Sequence, residues 1–311
     1  MMPKATMIVR LLVAAMLTTG FALTAEAQSL KMDSGGKPID VTADNGIELQ
    51  QDNKRVIARG NAKAVQGDVS VTGDELIADY RTKNDGGNEV YRVFARGNVT
   101  MKSTSETATG EAAVYDFDKG VLVLEGNNVS LVNADGSVVA HQTLQYWSNE
   151  KVAVAEGSAV AVDKEKRKLY ADKLIAFFKD TPTPAPGDKG AKNQIMPQNK
   201  GDISLLQGFG NVRMETAKET VRGDRGTYNL ETGIATLDGG VKITQNQNQL
   251  GGGFAVVNVK GGTSRLFANA KAAGMPDVRE NKRVSALIAP KPKDDSVAPA
   301  PPAAGPARGQ K

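Results

Sequence analysis

Apolar and polar side chains alternate along most of this chain with a period of two, which predicts strands with one buried face. After Gly60, for example, Ala62 and Ala64 are apolar and the Lys63 between them is charged. The 3.6-residue spacing of an amphipathic helix is not sustained anywhere after residue 28. The pattern therefore predicts an all-β protein.

The alternating segments recur as a unit of about 30 residues, which is typical of a repeat architecture. Each copy contains two strands and starts at one of these glycines: Gly60, Gly97, Gly126, Gly157, Gly210 and Gly239. About six two-strand repeats predict an elongated antiparallel β jelly roll, a long sheet folded over so that its apolar faces meet.

Two copies depart from the common register. In copies three and four the apolar pair slips by one residue, to Val129 and Leu131 and to Val160 and Val162. Both copies are also one residue longer before their second small residue, and we expect a β-bulge to compensate.

The strand after His141 has apolar residues on both faces, so the pattern leaves open which face points inward. Many inward positions are alanine, which is compatible either with a thin packed interior or with a groove that a ligand fills.

The N-terminus has the features of an export signal. Lys4 and Arg10 precede the apolar run Leu11–Leu23, and Ala25-Glu26-Ala27 is an A-x-A cleavage site. The apolar run is too short to be a membrane anchor, which needs about 20 residues. We predict that residues 1–27 are a signal peptide cleaved after Ala27, and that the mature protein is periplasmic.

Proline marks the segments outside the sheet, because it cannot donate a hydrogen bond to a strand ladder. Of 13 prolines, four lie in residues 182–197 and six in residues 290–306. We predict one domain over residues 28–290 with a flexible insertion at 179–202, and a disordered Pro/Ala-rich tail at 291–311. Residues 271–311 hold 8 basic and 4 acidic side chains. The pI of about 9.0 therefore reflects the C-terminal segment, and no nucleic-acid partner is expected.

The composition leaves little catalytic chemistry. The chain has no cysteine and a single histidine, His141, so a thiol nucleophile, a cysteine zinc site and a multi-histidine site are excluded. Four acids follow the second small residue of their copies, and solvated turn positions are favoured for them over a carboxylate ladder: Asp74, Glu111, Asp172 and Asp224. We expect no catalytic residue, metal or cofactor. Two alternatives stay open, an exported β-helical enzyme acting on polysaccharide through those acids, and a structural filament protein without a ligand.

Three segments resemble a known family. Residues 37–44 (Lys-Pro-Ile-Asp-Val-Thr-Ala-Asp) and 56–61, which end in Ala-Arg-Gly-Asn, are similar to the opening of the OstA-like family. Residues 282–290 resemble the last strand of that family. The resemblance extends from Lys37 to about Pro290, and the insertion and tail lie outside it. It implies a lipopolysaccharide transport protein that is not an enzyme and that bridges the inner and outer membranes.

The resemblance also implies a set of functional residues. The lipid acyl chains would lie in the apolar interior against Val56, Ala58, Ala62, Ala64, Leu76, Ala78, Val93, Ala95, Val99, Met101, Tyr115, Leu122, Leu124, Val212 and Met214. Head-to-tail homo-oligomers would form through edge strands carrying Ile39, Val41, Val284, Ala286 and Ile288. The implied partners are lipopolysaccharide, an inner-membrane transport complex with an LptC-like protein, and the N-terminal domain of an LptD-like outer-membrane translocon.

Overall fold

The computed structural model describes residues 39–84, 86–179, 203–275 and 283–288. The predicted signal peptide, residues 180–202 of the predicted insertion and the predicted Pro/Ala-rich tail therefore lie outside the described residues. Within the described ranges, no helix has the length and apolarity needed to cross a membrane. The one helical segment described there is a short 3-10 turn, Lys271–Ala273.

The described residues form one 18-stranded antiparallel sheet, which confirms the all-β prediction. Its strands are β1 (Asp40–Thr42), β2 (Ile47–Gln50), β3 (Arg55–Gln66), β4 (Val69–Thr82), β5 (Asn88–Lys102), β6 (Glu106–Asp116), β7 (Val121–Glu125), β8 (Val129–Asn133), β9 (Gly136–Ala140), β10 (Thr143–Trp147), β11 (Val152–Asp163), β12 (Lys168–Phe178), β13 (Ile203–Glu215), β14 (Thr220–Asn229), β15 (Ile234–Gln245), β16 (Asn248–Asn258), β17 (Thr263–Phe267) and β18 (Ser285–Leu287).

Five of the long strands bend at the glycine that starts a repeat. In β3, Arg59 pairs with Glu75 but Ala62 pairs with Gly73, so Gly60 and Asn61 are left out of the ladder. Both residues have positive φ, +79° for Gly60 and +43° for Asn61, a conformation that glycine and asparagine tolerate best. The same shift occurs in β5, β11, β13 and β15, and in copy three Gly126, also with positive φ, lies at the equivalent point between β7 and β8. We call each of these bends a corner.

The corners divide the sheet into two walls. Wall A begins at β2, continues through the strand halves in register with residues 55–59, and ends at β17. Wall B begins at β1, continues through the halves in register with residues 62–66, and ends at β18. One cluster of buried apolar side chains contains residues of both walls along their length. The walls therefore pack face to face, as expected for a folded-over sheet.

The register of β10 decides the orientation that the sequence left open. Leu144 pairs with Leu124 and Ala155, and Tyr146 pairs with Leu122 and Ala153, all in rows that face the interior. Trp147, which the residue type alone would assign to the core, is 38% exposed. It lies on the outer face because strand side chains alternate.

The predicted slip of register is right for copy three and wrong for copy four. Val129 is fully buried and Leu131 packs against the core. In copy four the inward residues are Ala159 and Ala161, so Val160 and Val162 point outward. The bulge at Gly157 and Ser158, both with positive φ, contains two residues, as in the other corners. The strand after it therefore keeps the same register as in the other copies.

The outer face of wall A is more apolar than alternation predicts. A row of outward side chains crosses its N-terminal half in register: Ile57, Ile77, Phe94, Val114 and Val123. Ile57 is only 6% exposed because ion pairs lie over it. Arg59 binds Glu48 at 2.8 Å and Glu75 at 3.0 Å, and the methylene stems of such side chains cover apolar surface.

Candidate functional site

The interior between the walls is densely packed next to the corners. One residue per repeat fills this position in wall B, and each is at most 2% exposed: Ala62, Val99, Val129, Ala159, Val212 and Val241. Wall A contributes a matching row that includes Ala58, Leu76 and Ala95. Small and β-branched residues fit here because the walls converge, so this part of the interior has no room for a ligand.

Further from the corners, the inward rows are only half-buried. In wall B this second row includes Ala64, Val71, Leu131, Val138, Ala161, Leu169, Met214 and Leu250. In wall A it includes Ala78, Val93, Tyr115, Ala153, Ala176 and Tyr228. We call the side of the fold opposite the corners the mouth. The interior is thus a packed core at the corners and an accessible apolar surface towards the mouth, which combines the two possibilities that the sequence left open.

The accessible surface is interrupted in the middle of the fold. Leu122 and Tyr146 are each 2% exposed, and Met101 and Ala108 of wall B are buried as well. Aromatic side chains concentrate on the mouth side of wall A, where the rings of Tyr115 and Phe117 lie 4.4 Å apart. Burial of the phenol raises the pKa of Tyr115 to about 12. The half-buried surface therefore has an N-terminal part and a second part beyond β10, which ends where Val221 and Ile243 of wall B and Ala235 and Val257 of wall A are buried again.

The two walls also touch across the mouth near its ends. At the N-terminal end, Ile39 packs against a small cluster of wall A residues formed by Val56, Tyr80 and Val90. At the C-terminal end, the Ser264 hydroxyl of wall A donates a hydrogen bond of 3.1 Å to Glu219 of wall B. These contacts keep the walls together at both ends while the second rows between them stay half-buried.

All fifteen residues proposed for lipid contact lie on the inward rows or in the two apolar clusters, but only some are accessible. Ala64, Ala78, Val93, Tyr115 and Met214 are half-buried, whereas the other ten are buried: Val56, Ala58, Ala62, Leu76, Ala95, Val99, Met101, Leu122, Leu124 and Val212. The lipid-contact set chosen from the sequence leaves out accessible inward residues of copies three to five, namely Ala153, Ala161, Leu169, Ala176, Leu206 and Tyr228. The alternation in β12 and β13 could have found them.

The residues proposed for assembly lie at both ends of wall B. Val41 is in β1 and Ala286 is in β18, the two edge strands of that wall. Val284 and Ile288 flank β18 and are 51% and 74% exposed, whereas Ile39 precedes β1 and packs at the mouth. The edges of wall A, β2 and β17, were missed. Their period-two pattern is too short to stand out.

The repeated acids have a structural role at the corners. Each side chain lies over the corner glycine of the next repeat, and three of them bind the residue after that glycine. Asn98 donates to Asp74 at 3.3 Å, Asn211 donates to Asp172 at 2.9 Å, and the Asn127 backbone donates to Glu111 at 3.1 Å. We call this contact the corner clasp. In the part of the chain that is described, no group of histidine and carboxylate side chains could hold a metal ion.

His141 belongs to the same structural scheme. Its backbone N–H donates to Gly157 O at 2.7 Å, and its ring Nδ1 lies 2.7 Å from Asn127 O. The residue therefore connects the corners of copies three and four. This arrangement accounts for a solitary histidine without a catalytic partner.

The folded-over sheet, its corners and its apolar interior define an extended β jelly roll of the OstA-like type. A family described as LptA/(LptD N-terminal domain) LPS transport protein matches residues 40–151 and 137–263, and the chain belongs to this family. It is thus related to lipopolysaccharide transport. A comparison with curated protein sequences found no significant match.

Among solved structures, the chain is similar to LptH from Pseudomonas aeruginosa, described as the LptA-homologous periplasmic component of the lipopolysaccharide transport device. The two share 19% sequence identity over 39% of this chain and 83% of that one, with a TM-score of 0.33.

Proposed function

We propose that this protein carries lipopolysaccharide through the periplasm by holding the lipid acyl chains against the half-buried second rows of its interior. The observation that carries the proposal is the second row of wall B. It runs in register from Val41 through Ala64 and Val71 to Leu250 and Ala286, with an apolar side chain at every position. A row that is apolar throughout, and accessible except at Met101, Ala108, Val221 and Ile243, suits a long aliphatic ligand.

The physical need for such a surface is large. Each acyl methylene costs about 0.8 kcal/mol to expose to water, so a lipid with several acyl chains does not cross an aqueous compartment unaided. Apolar contact is not directional, so the rows need no specific polar partner for the chains. Sugars and phosphates would stay in water at the mouth, and no catalytic group is required.

Location and assembly form the second part of the proposal. Residues 1–27 would act as an export signal cleaved after Ala27, and residues 28–290 would form the carrier domain with its insertion and tail. Head-to-tail pairing of edge strands would let copies bridge the two membranes. An LptC-like protein would occupy one end and the N-terminal domain of an LptD-like translocon the other. Membership of the family and the exposed edge residues support this arrangement.

Site-specific photo-crosslinking tests the lipid site. Leu169 and Lys168 are neighbours on β12, but Leu169 faces the interior and is half-buried, whereas Lys168 is exposed on the outer face. A photo-reactive residue at 169 should capture lipopolysaccharide, and the same residue at 168 should not. Equal capture at both positions would contradict the proposal. Leu76 and Val99 are poor positions for the probe because they are 5% and 1% exposed.

Truncation tests the assembly. Removing residues 284–311 deletes β18 together with the tail, and removing 291–311 deletes the tail alone. We expect concentration-dependent oligomers in light scattering for the second variant and not for the first, because only the first deletion removes Val284, Ala286 and Ile288, the side chains proposed for the contact. Identical oligomer sizes for both variants would show that β18 is not the interface.

A further inference from the structure

A row of basic side chains crosses the outer face of wall B near its C-terminal end. Arg213, Arg222 and Lys242 lie on β13, β14 and β15 and pair directly with one another in the ladder. They point outward, because their neighbours Val212, Val221 and Val241 are buried in the interior. The row is therefore separated from the proposed acyl-chain surface by the thickness of the sheet.

Between Lys63 at its other end and Arg213, the same row carries no charged side chain. Thr72, Thr100, Thr109 and Ser130 occupy it on consecutive strands. Like charges directly opposite each other on neighbouring strands destabilise a sheet. Three adjacent cations therefore weaken this part of the sheet and call for a reason other than folding.

Only the first of the three cations has a partner that fixes it. The Arg213 guanidinium lies 3.8 Å from the centre of the Tyr170 ring and pairs with Glu215 at 2.7 Å. Within the described ranges, Arg222 and Lys242 form no ion pair, and both side chains are exposed. Two neighbouring positive charges thus remain without an opposite charge.

Two of the three cations, Arg213 and Arg222, line a depression at the corner, and Lys242 is paired with Arg222 on the next strand. A cavity of about 370 Å³ is lined by Asn211, Arg213, Arg222, Asp224, Gly239 and Gly240. Gly239 and Gly240 stand outside the ladder pairing and have positive φ, and as glycines they place no side chain in the depression, which the Asp224 side chain borders. The volume lies in the range of small-molecule sites and is larger than a phosphate group needs.

We propose that this depression binds a phosphorylated saccharide. The side chains of directly paired residues start about 5 Å apart, so one phosphate can contact both Arg222 and Lys242, and its double negative charge matches the two cations. The carboxylate of Asp224 repels a bare anion but accepts hydrogen bonds from sugar hydroxyls. The site does not depend on lipid binding in the interior.

Titration of the mature chain with glucose 6-phosphate tests the site, followed by the backbone amide signals of Gly223, Gly239 and Gly240 in NMR spectra. We expect saturable shifts, weaker binding of inorganic phosphate and no binding of glucose. Replacing both Arg222→Gln and Lys242→Gln should raise Kd about tenfold or more, since hydrogen bonds to charged groups are lost. Lys63→Gln is the matched control, an exposed cation in the same outer row at the other end of wall B.

The results that would overturn the proposal are specific. They are no saturable shift, an unchanged Kd in the double variant, an equal loss in Lys63→Gln, or inorganic phosphate binding as tightly as glucose 6-phosphate. The ligand could be free or the glycan of a lipid, which have the same chemistry. Tighter binding of a deacylated lipopolysaccharide glycan than of glucose 6-phosphate would assign the lipid-linked source, and the reverse order would assign the free one.

Discussion

Substitution of a corner glycine should destabilise the fold by an amount that can be divided into two causes. Gly97 has φ +69°, and a Cβ atom there would collide with the side chain of Asp74. The left-handed conformation costs an alanine about 1–2 kcal/mol. Displacing Asp74 also breaks its hydrogen bonds with Asn98, for about 1 kcal/mol more. We therefore expect Gly97→Ala to lower the free energy of unfolding by about 2–3 kcal/mol.

Gly262 provides the matched control, because its φ of +64° is nearly the same and nothing lies within 4 Å of the added Cβ. Gly262→Ala should show only the backbone cost of about 1–2 kcal/mol. Adding Gly97→Ala to an Asp74→Ala background should cost less than in the wild type, since the carboxylate and its hydrogen bonds are already absent and only the Cβ of residue 74 still crowds the added Cβ, at 2.8 Å.

Urea unfolding followed by far-ultraviolet circular dichroism measures all four variants. Fluorescence of Trp147 on the outer face gives a second probe, and coincident transitions justify a single free energy. Equal losses for Gly97→Ala and Gly262→Ala would refute the role assigned to the corner clasp. The same conclusion would follow if Gly97→Ala cost as much in the Asp74→Ala background as in the wild type.

Three other predictions concern pH and packing. Desolvation opposes ionisation of Asp116, but the Lys119 backbone N–H and the Arg92 guanidinium outweigh it and lower the pKa of the carboxyl. The stability that Asp116 contributes is present above its unfolded-state pKa and is lost as pH falls. Asp116→Asn should therefore flatten the acid side of a curve of unfolding free energy against pH. An unchanged acid side would contradict this. Burial raises the pKa of Tyr115 to about 12. The contribution of the protonated phenol to the free energy of unfolding is therefore complete below about pH 10 and is lost as pH rises through 12. Tyr115→Phe should therefore reduce alkaline destabilisation in that window, and an identical curve would count against burial as the cause. A Cβ on Gly253 would collide with the Ala268 carbonyl. We therefore expect Gly253→Ala to lower Tm by several degrees. An unchanged Tm would mean that residues 268–270 do not pack on β16.

The fold class could be predicted because its signals are local in sequence. Period-two alternation marks a strand whatever the strand pairs with, and glycines recurring at the same point of each copy mark the corners. Ala62, Val99 and Val212 were assigned to the interior correctly for this reason. The edges at Val41 and Ala286 could also be predicted, because the first and last strands of a stack have only one neighbour.

Other assignments failed where a neighbouring strand decides the outcome. Val160 and Val162 are more apolar than Ala159 and Ala161, yet the bulge at Gly157 turns the alanines inward. Ile57 is outward but buried, because Arg59 lies across it with partners on two other strands. Hydrophobicity alone does not show either effect.

The sequence by itself therefore determined the strands, the repeat and the six corner glycines, because backbone conformation and alternation depend on a few neighbouring residues. Only the tertiary structure decided which inward residues are accessible, that Asp74 and its counterparts hold the next corner, and that Arg222 stands beside Lys242. Each of these depends on strand register and on the convergence of the two walls, which bring together residues about 15 or more positions apart.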